Sequence, residues 1–304
     1  MIMNPQPGET VYDPTCGSGG LLLNCALHLK AEGKEYRTLK LFGQEINLLT
    51  SAIARMNMFM HGIEEFRIVR GDTLVNPAFI ENDELKTFNV ILANPPYSIK
   101  SWDRKSFVND PYGRNIWGTP PQGCADYAFQ QHIHKSLNEK NGRFAILWPH
   151  GILFRDAEAE MRRKMLKTDH IEAVIGLGAN LFYNSPMEAM ILIGNTNKPK
   201  KRKKKVLFIN AKNEVVDNKG QAYLTKDHIN KIYQAFKEFI DIPHFAKIAT
   251  IEDIMKFKGS MNINFYVKQA NSDNRVSFSE SFENWEKAGN ELKTSMKKLF
   301  KELN

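Results

Sequence analysis

The sequence predicts an α/β fold whose core is a largely parallel sheet. Three observations carry this. Short apolar runs alternate with segments of helical period, the pattern of βα units. A glycine-rich turn, Asp13-Pro14-Thr15-Cys16-Gly17-Ser18-Gly19-Gly20, joins the first strand to the first helix. The fourth strand runs into Asn94-Pro95-Pro96-Tyr97, which puts an amide, two rigid backbone steps and an aromatic ring at the carboxyl edge of the sheet. Ligands of open α/β sheets bind at that edge.

Taken in order, Thr10–Asp13 reads as the first strand and Leu21–Leu29 as a buried helix. Leu39–Phe42 is the second strand and leads through Gly43 and Gln44 to an acid, Glu45. Asn47 is expected to cap a helix that runs to Gly62. Arg67–Val69 is the third strand and is followed by Gly71-Asp72-Thr73-Leu74, a second acid at a strand end. Phe88–Leu92 is the fourth. Arg143–Leu147, Ala173–Leu177 and Met187–Ile193 bring the expected sheet to seven strands. Asp126 reads as the cap of a helix at 127–138 and Asp156 as the cap of one at 157–167. Asp126 also reads as a residue able to line a ligand pocket.

Glycines in the first turn let the backbone approach a ligand and tolerate positive φ. Their spacing, Gly-x-Gly-Gly, is not that of the dinucleotide fingerprint, and no phosphate-loop Lys-Ser/Thr follows. This argues against a nicotinamide cofactor and against nucleotide hydrolysis. A carboxylate at the position of Glu45 can accept both hydroxyls of a ribose. Taken singly, each acid reads equally as a helix cap or a turn residue.

Asn94-Pro95-Pro96-Tyr97 resembles the catalytic motif of methyltransferases that act on an exocyclic or amide nitrogen. An adenine amine is a poor nucleophile because its lone pair is delocalised into the ring. The Asn94 oxygen and the Pro95 carbonyl are two acceptors suited to hold it, the prolines stiffen the turn, and Tyr97 can stack on a flipped base. The glycine turn resembles the S-adenosylmethionine loop of class I methyltransferases. With Gly-Gln-Glu, Gly-Asp-Thr-Leu, Ala125–Phe129, Gly142–Arg155 and Asn180-Leu181-Phe182-Tyr183 in that order, the chain resembles the modification subunit of type I restriction–modification systems. The likeness is dense from Val11 to Asn195 and looser beyond.

That resemblance implies a class I S-adenosylmethionine-dependent, Rossmann-like α/β fold with a seven-stranded mixed sheet, its last strand inserted antiparallel, and a helical C-terminal extension. It implies N6-methylation of adenine in DNA. The implied catalytic residues are Asn94, Pro95, Pro96, Tyr97 and Phe182, with Tyr183 the alternative to Phe182. The implied S-adenosylmethionine site is Asp13, Thr15, Gly17, Ser18, Gly19, Gly20, Glu45, Asp72, Thr73 and Asn94, with Asp72 on the cofactor's adenine amine and no metal. The family has a helical domain before the glycine loop. This chain enters the loop almost directly, so it reads as a fragment, a truncated product or a misplaced start. The expected division is a catalytic domain at 1–210 and a helical, partner-docking extension at 211–304. The implied partners are double-stranded DNA, a specificity subunit, a second modification subunit and a nuclease subunit.

The chain has 304 residues and a net charge of +8, which favours a polyanionic partner. Its three cysteines, Cys16, Cys25 and Cys124, lack metal spacing and suggest no disulfide framework. No apolar run is long enough to span a bilayer, so the expected compartment is the cytoplasm. Residues 98–123 form a long polar loop, read either as a cover for the target base or as a solvated segment. Lys198–Lys205, the densest charge run, reads as a solvated hairpin tip with at most auxiliary attraction for DNA. Residues 277–304 place Phe278, Phe282, Trp285, Leu292, Met296, Leu299 and Leu303 at helical spacing. Two other readings stay open: a methyltransferase for protein glutamine, and an inactive assembly subunit.

Overall fold

The computed structural model describes residues 2–182, 185–218, 221–268 and 295–296. The elements follow in order as β1 (Thr10–Asp13), α1 (Gly20–Ala31), β2 (Lys40–Glu45), α2 (Leu48–Met60), β3 (Phe66–Arg70), a small hairpin of β4 (Ile80–Glu81) and β5 (Glu84–Leu85), and β6 (Val90–Ala93). Then come α3 (Arg104–Val108), α4 (Asp126–Lys135), β7 (Arg143–Pro149), α5 (Ala159–Lys167), β8 (Ile171–Leu177), β9 (Ala189–Asn195) and β10 (Lys205–Ala211). A second hairpin, β11 (Val216–Asn218) and β12 (Gln221–Tyr223), precedes α6 (Lys226–Glu238), β13 (Ala246–Thr250), α7 (Ile251–Lys256) and α8 (Ile263–Tyr266).

The main sheet has the order β13-β10-β8-β9-β7-β6-β1-β2-β3. From β1 the chain steps outward through β2 to β3, then returns to the other side of β1 as β6. The pairing is parallel on both sides of β1, with Thr10 opposite Lys40 and Val11 opposite Val90. A cleft therefore opens beyond the carboxyl ends of β1 and β6, where the winding reverses. β9 runs antiparallel between β7 and β8, as the resemblance implied.

The sheet has nine strands rather than seven. The additional two are β10, parallel to β8, and β13, antiparallel to β10. β10 is buried from Val206 onward, so it is an interior strand and not the arm of a hairpin with β9. The compact unit accordingly runs to Lys268, and the expected boundary at 210 falls inside it. The apolar positions of 277–304, and Tyr183, lie outside the described residues save for a two-residue stretch at 295–296.

Local chemistry explains the helices that frame the cleft. In α1 the residues Leu22, Cys25, Ala26 and Leu29 are buried, a stripe at helical spacing. Asn47 caps α2 as expected, its Oδ1 accepting from the Thr50 N–H at 3.0 Å. Asp126 and Asp156 do not cap their helices: Ala125 precedes α4 without a side-chain cap, and Asp156 opens a short 3₁₀ turn before α5. On the opposite face α4 is tied to the sheet by the buried pair Tyr12 Oη–His132 Nε2 at 3.0 Å and by Trp148 Nε1 donating to Gln130 Oε1 at 2.8 Å. Burial drives His132 toward its neutral form.

The charge run at 198–205 is solvated only in part: Lys200, Lys201, Lys203, Lys204 and Lys205 are exposed, whereas Lys198 and Arg202 are drawn into the fold. Lys198 is buried and donates to Asp169 Oδ1 and to the carbonyls of Ile171 and Lys205. Arg202 pairs with Glu172, donates to the carbonyls of Phe236 and Lys237 at the end of α6, and stacks against Phe236 and Phe239. Two of the seven cations in the run are thus consumed by the fold. Among the described residues no helix is long and apolar enough to cross a membrane.

Gly43 in β2 packs closely against the glycine turn. A Cβ there would lie 2.8 Å from Cys16 Sγ and 3.1 Å from Leu22 Cδ1. Cys16 is buried against it as a packing residue, and all three cysteines are free thiols. Gly43→Ala is expected to lower stability by about 1–3 kcal/mol in urea denaturation, the usual range for overpacking. An unchanged midpoint contradicts the close packing.

Candidate active site

The cleft at the winding reversal is a cavity of about 750 Å³. This lies within the roughly 300–1,000 Å³ of small-molecule sites. Pro14, Thr15 and Gly17 reach it from the β1 turn, Glu45 and Ile46 from the end of β2, and Asp72, Thr73 and Leu74 from the end of β3. Asn94, Pro95, Pro96 and Tyr97 line it from the end of β6, and Phe182 from the segment before β9. Ile99, Ser101 and Trp102, from the loop after the proline turn, and Phe129 of α4 also line it. Five stretches that lie far apart in sequence thus meet at one sheet edge.

Not every expected residue faces this space. Asp13 is 1% exposed and lies beneath the turn, its Oδ1 accepting from the Thr15 N–H at 3.0 Å. Burial pushes its carboxyl up to about 7, because the charged form is stripped of water with no cation to replace it. Ser18, Gly19 and Gly20 are not part of the wall. Gly19 takes φ +81° as α1 begins, and a Cβ there would meet Met58 Cε at 2.8 Å. Its role is to let α1 and α2 close together. Ser18 anchors the same junction, its carbonyl accepting from Asn57 Nδ2.

The acids at the strand ends carry structural bonds of their own. Glu45 Oε2 accepts from the Gly17 N–H at 3.0 Å, and Oε1 accepts from the Asn47 N–H at 2.8 Å. One side chain therefore pins the glycine turn to the start of α2. Asp72 Oδ1 accepts from the N–H groups of Leu74 and Val75, leaving Oδ2 for the cavity. A carboxylate has about four acceptor positions, so both acids retain capacity for ligand hydroxyl or amine hydrogens. Thr73 turns its hydroxyl away, onto the Pro14 carbonyl at 2.5 Å, and joins the β3 turn to the β1 turn.

In the proline turn, Tyr97 Oη donates to Asn94 Oδ1 at 2.8 Å. The Tyr97 ring lies 6.3 Å from that of Trp148. Its hydroxyl is pushed up to about 12, chiefly by burial and next by the charge of Asp126, so it is a firm donor at neutral pH. The Asn94 oxygen keeps a second lone pair, and Asn94 itself is exposed to the cavity.

Three groups have roles that the sequence reading did not give. Gln44 is fully buried and straps the β3 turn, donating to the Asn76 carbonyl and accepting from the Ala78 N–H. Arg114 sits in the long loop, which the sequence offered as a cover for the target base or a solvated segment. It is buried instead, pairs with Asp110 at 2.5 Å, and donates to the carbonyls of Thr73 and Leu74 at 2.8 Å. The loop at 98–123 is thereby tied to the turn that bears Asp72. Asp126 is the third. It is buried, does not line the cavity, and accepts from the Ser98 N–H at 2.7 Å.

The fold and this cleft define a class I S-adenosylmethionine-dependent methyltransferase architecture. The sequence signature of the family described as N-6 DNA methylase matches residues 1–275. A type I restriction enzyme MjaVIII methylase subunit from Methanocaldococcus jannaschii is 34% identical, covering 95% of this chain and 51% of the relative. The HindI methylase subunit from Haemophilus influenzae is 32% identical, covering 93% of this chain and 64% of the relative. The crystal structure of the type I restriction–modification methyltransferase subunit from Streptococcus thermophilus superposes with a TM-score of 0.79 at 36% identity, covering 88% of this chain and 55% of that one. The chain belongs to the N-6 DNA methylase family. It spans about half to two thirds of the length of these relatives.

Two outcomes test the site's internal support. Breaking a buried ion pair by removing one partner costs about 3–5 kcal/mol. Arg114→Ala should lose stability on that scale in chemical denaturation, and a loss typical of a surface residue contradicts the strut. For Asp13, the folded chain keeps a proton between the ordinary value of 3.8 and about 7 that the unfolded chain has released. Stability therefore falls as pH rises through this window and levels off above it. Asp13→Asn removes that slope, so its advantage over the parent in urea midpoint should grow from pH 4 to pH 7. A pH-independent gap contradicts the assignment.

Proposed function

We propose that the chain is the catalytic core of a DNA adenine N6-methyltransferase, the modification subunit of a type I restriction–modification complex. The observation that carries this reading is the meeting of the Asn94–Tyr97 turn with Gly17, Glu45 and Asp72 around one cavity. A donor-binding edge and an amine-binding turn then face the same space.

S-adenosylmethionine fits the donor side: Glu45 would hold the ribose hydroxyls, Asp72 Oδ2 the adenine amine, and Pro14, Ile46 and Leu74 the flat apolar surfaces. When bound it supplies an activated methyl group on a sulfonium. Everything else falls to the chain's own residues. Asn94 Oδ1 and the Pro95 carbonyl accept the two hydrogens of the target amine and orient its lone pair toward the methyl group. As the amine gains positive charge in the transition state, both acceptors bind it more strongly than in the ground state. Tyr97 holds the Asn94 amide oxygen and offers its ring to the flipped base, and Phe182 closes on the other side. Proton release from the methylated amine goes to solvent, since its conjugate acid is strongly acidic.

The net charge of +8 supports an acidic, extended substrate. The relatives are named as subunits of restriction enzymes, which supports assembly with a sequence-reading subunit, a second modification subunit and a nuclease. The apolar positions of residues 277–304, at helical spacing, are proposed to dock on such a partner.

Transfer of labelled methyl from S-adenosylmethionine to unmethylated duplex DNA, with a co-expressed specificity subunit, tests this reading. Asn94→Ala should lower transfer by about 10²–10³-fold, the scale of losing one transition-state acceptor. Calorimetric affinity for S-adenosylmethionine should stay within about twofold, because the lost contact is to the target amine. Undiminished transfer by the variant contradicts the role of the turn.

A further inference from the structure

We propose that Asp126, backed by Arg155 and Glu158, is a positioning residue that holds the Asn94–Tyr97 turn in its working shape. The kinetic part of this proposal rests on the methyltransferase reading. The structural part does not.

The turn has few means of holding itself. Pro95 and Pro96 carry no N–H, so two successive residues bring no donor to any ladder. The chain then leaves the turn through Ser98 at φ +51°, a left-handed conformation that a non-glycine residue keeps only when its surroundings impose it. The Ser98 N–H is captured at 2.7 Å by Asp126 Oδ1. Asp126 is 0% exposed, so water does not compete for that carboxylate, and a charged acceptor makes the bond a strong one.

Asp126 opens α4 yet makes no side-chain cap for it. Its second oxygen takes Arg155 Nη2 at 2.5 Å, while Arg155 Nε donates to Glu158 Oε2 at 2.7 Å. The guanidinium thus bridges two buried carboxylates and fixes the Asp126 rotamer. Cys124, Asp126 and Glu158 offer ligand atoms within 4.8 Å of one another, a spacing that also suits a cation. Arg155 already lies across both carboxylates, so the cluster is an ion-pair set. α4 itself is held to the sheet through Tyr12–His132 and Trp148–Gln130. A rigid path therefore runs from the sheet through Asp126 to Ser98, and from the adjoining Tyr97 to Asn94 Oδ1.

None of the three residues lines the cavity. Their loss should blunt the orientation of Asn94 without removing a ligand contact, which predicts an effect on kcat and little on cofactor affinity. Asp126→Ala should lower kcat about 10- to 100-fold. The KM and calorimetric Kd for S-adenosylmethionine should stay within about twofold. Asp126→Asn keeps an acceptor for the Ser98 N–H but sets an amide NH2 against Arg155 Nη2, so it should recover part of the loss. Arg155→Gln should fall between the two.

Hydrogen exchange by mass spectrometry gives a readout independent of activity. A peptide covering Asn94–Lys100 should exchange faster in Asp126→Ala and keep part of its protection in Asp126→Asn, while peptides from α1 and α2 remain unchanged. Equal protection of that peptide in the alanine variant overturns the proposal. So does a parallel loss of kcat, cofactor affinity and global protection that Asp126→Asn does not rescue. If Asp126→Ala does not fold, Arg155→Gln carries the same comparison, and parent-like protection and kcat there overturn it. If the parent transfers no methyl to DNA, the methyltransferase reading fails, and the exchange data alone decide the positioning role.

Discussion

Parallel pairing of β6 with β1 is the constraint on which the site depends. Val11 opposite Val90 and Tyr12 opposite Ile91 set the register, and both strands then end at the same level of the sheet. Because β2 and β3 had already been laid on the other side of β1, the turn after β6 faces the turns after β1, β2 and β3 across one crevice. A slip of one residue would turn Asn94 to the opposite face. The register is protected by the stacked Tyr12 and Phe88 rings, 4.4 Å apart, and by burial of Val11, Val90 and Ile91.

Around that crevice, groups that resemble ligand contacts also build the walls. Glu45 pins the glycine turn, Thr73 ties the β3 turn to Pro14, and Arg114 ties the long loop to the carbonyls of Thr73 and Leu74. The acids are thereby held in fixed orientations before any ligand arrives. Preorganisation of this kind spares a binding site the ordering of its own side chains. The proline turn follows the same logic from the other side, with Tyr97 fixing Asn94 and Asp126 fixing Ser98.

Much of the fold was legible in sequence because its signals are local. The strand ends at Asp13, Glu45 and Ala93, the Asn47 cap and the existence of α1 each sit within a few residues of their cause, although α1, read as buried throughout, buries only one face. What sequence did not disclose depends on distant partners. Arg114 looks like a loop cation until Asp110 and the β3 turn are placed around it. Lys198 and Arg202 look like a solvated run because nothing near them announces Asp169 and Glu172. Asp126 has the position of a cap, yet its partners Ser98 and Arg155 are 28 and 29 residues away. β13, a short segment of mixed burial, has too weak an alternation to be distinguished from a loop before β10 offers it an edge. Asp13, Ser18, Gly19 and Gly20 belong to the motif that announces the site, but they shape the turn from behind the cavity wall.

The central claim is that Asn94 and Pro95 grip a nucleobase amine opposite the methyl donor. A crystal structure of the modification complex with duplex DNA and an unreactive S-adenosylmethionine analogue addresses it most directly. The account predicts an adenine rotated out of the duplex, with its amine nitrogen at roughly 2.7–3.2 Å from Asn94 Oδ1 and from the Pro95 carbonyl oxygen. An adenine held elsewhere, or an analogue bound away from Glu45 and Asp72, would contradict it.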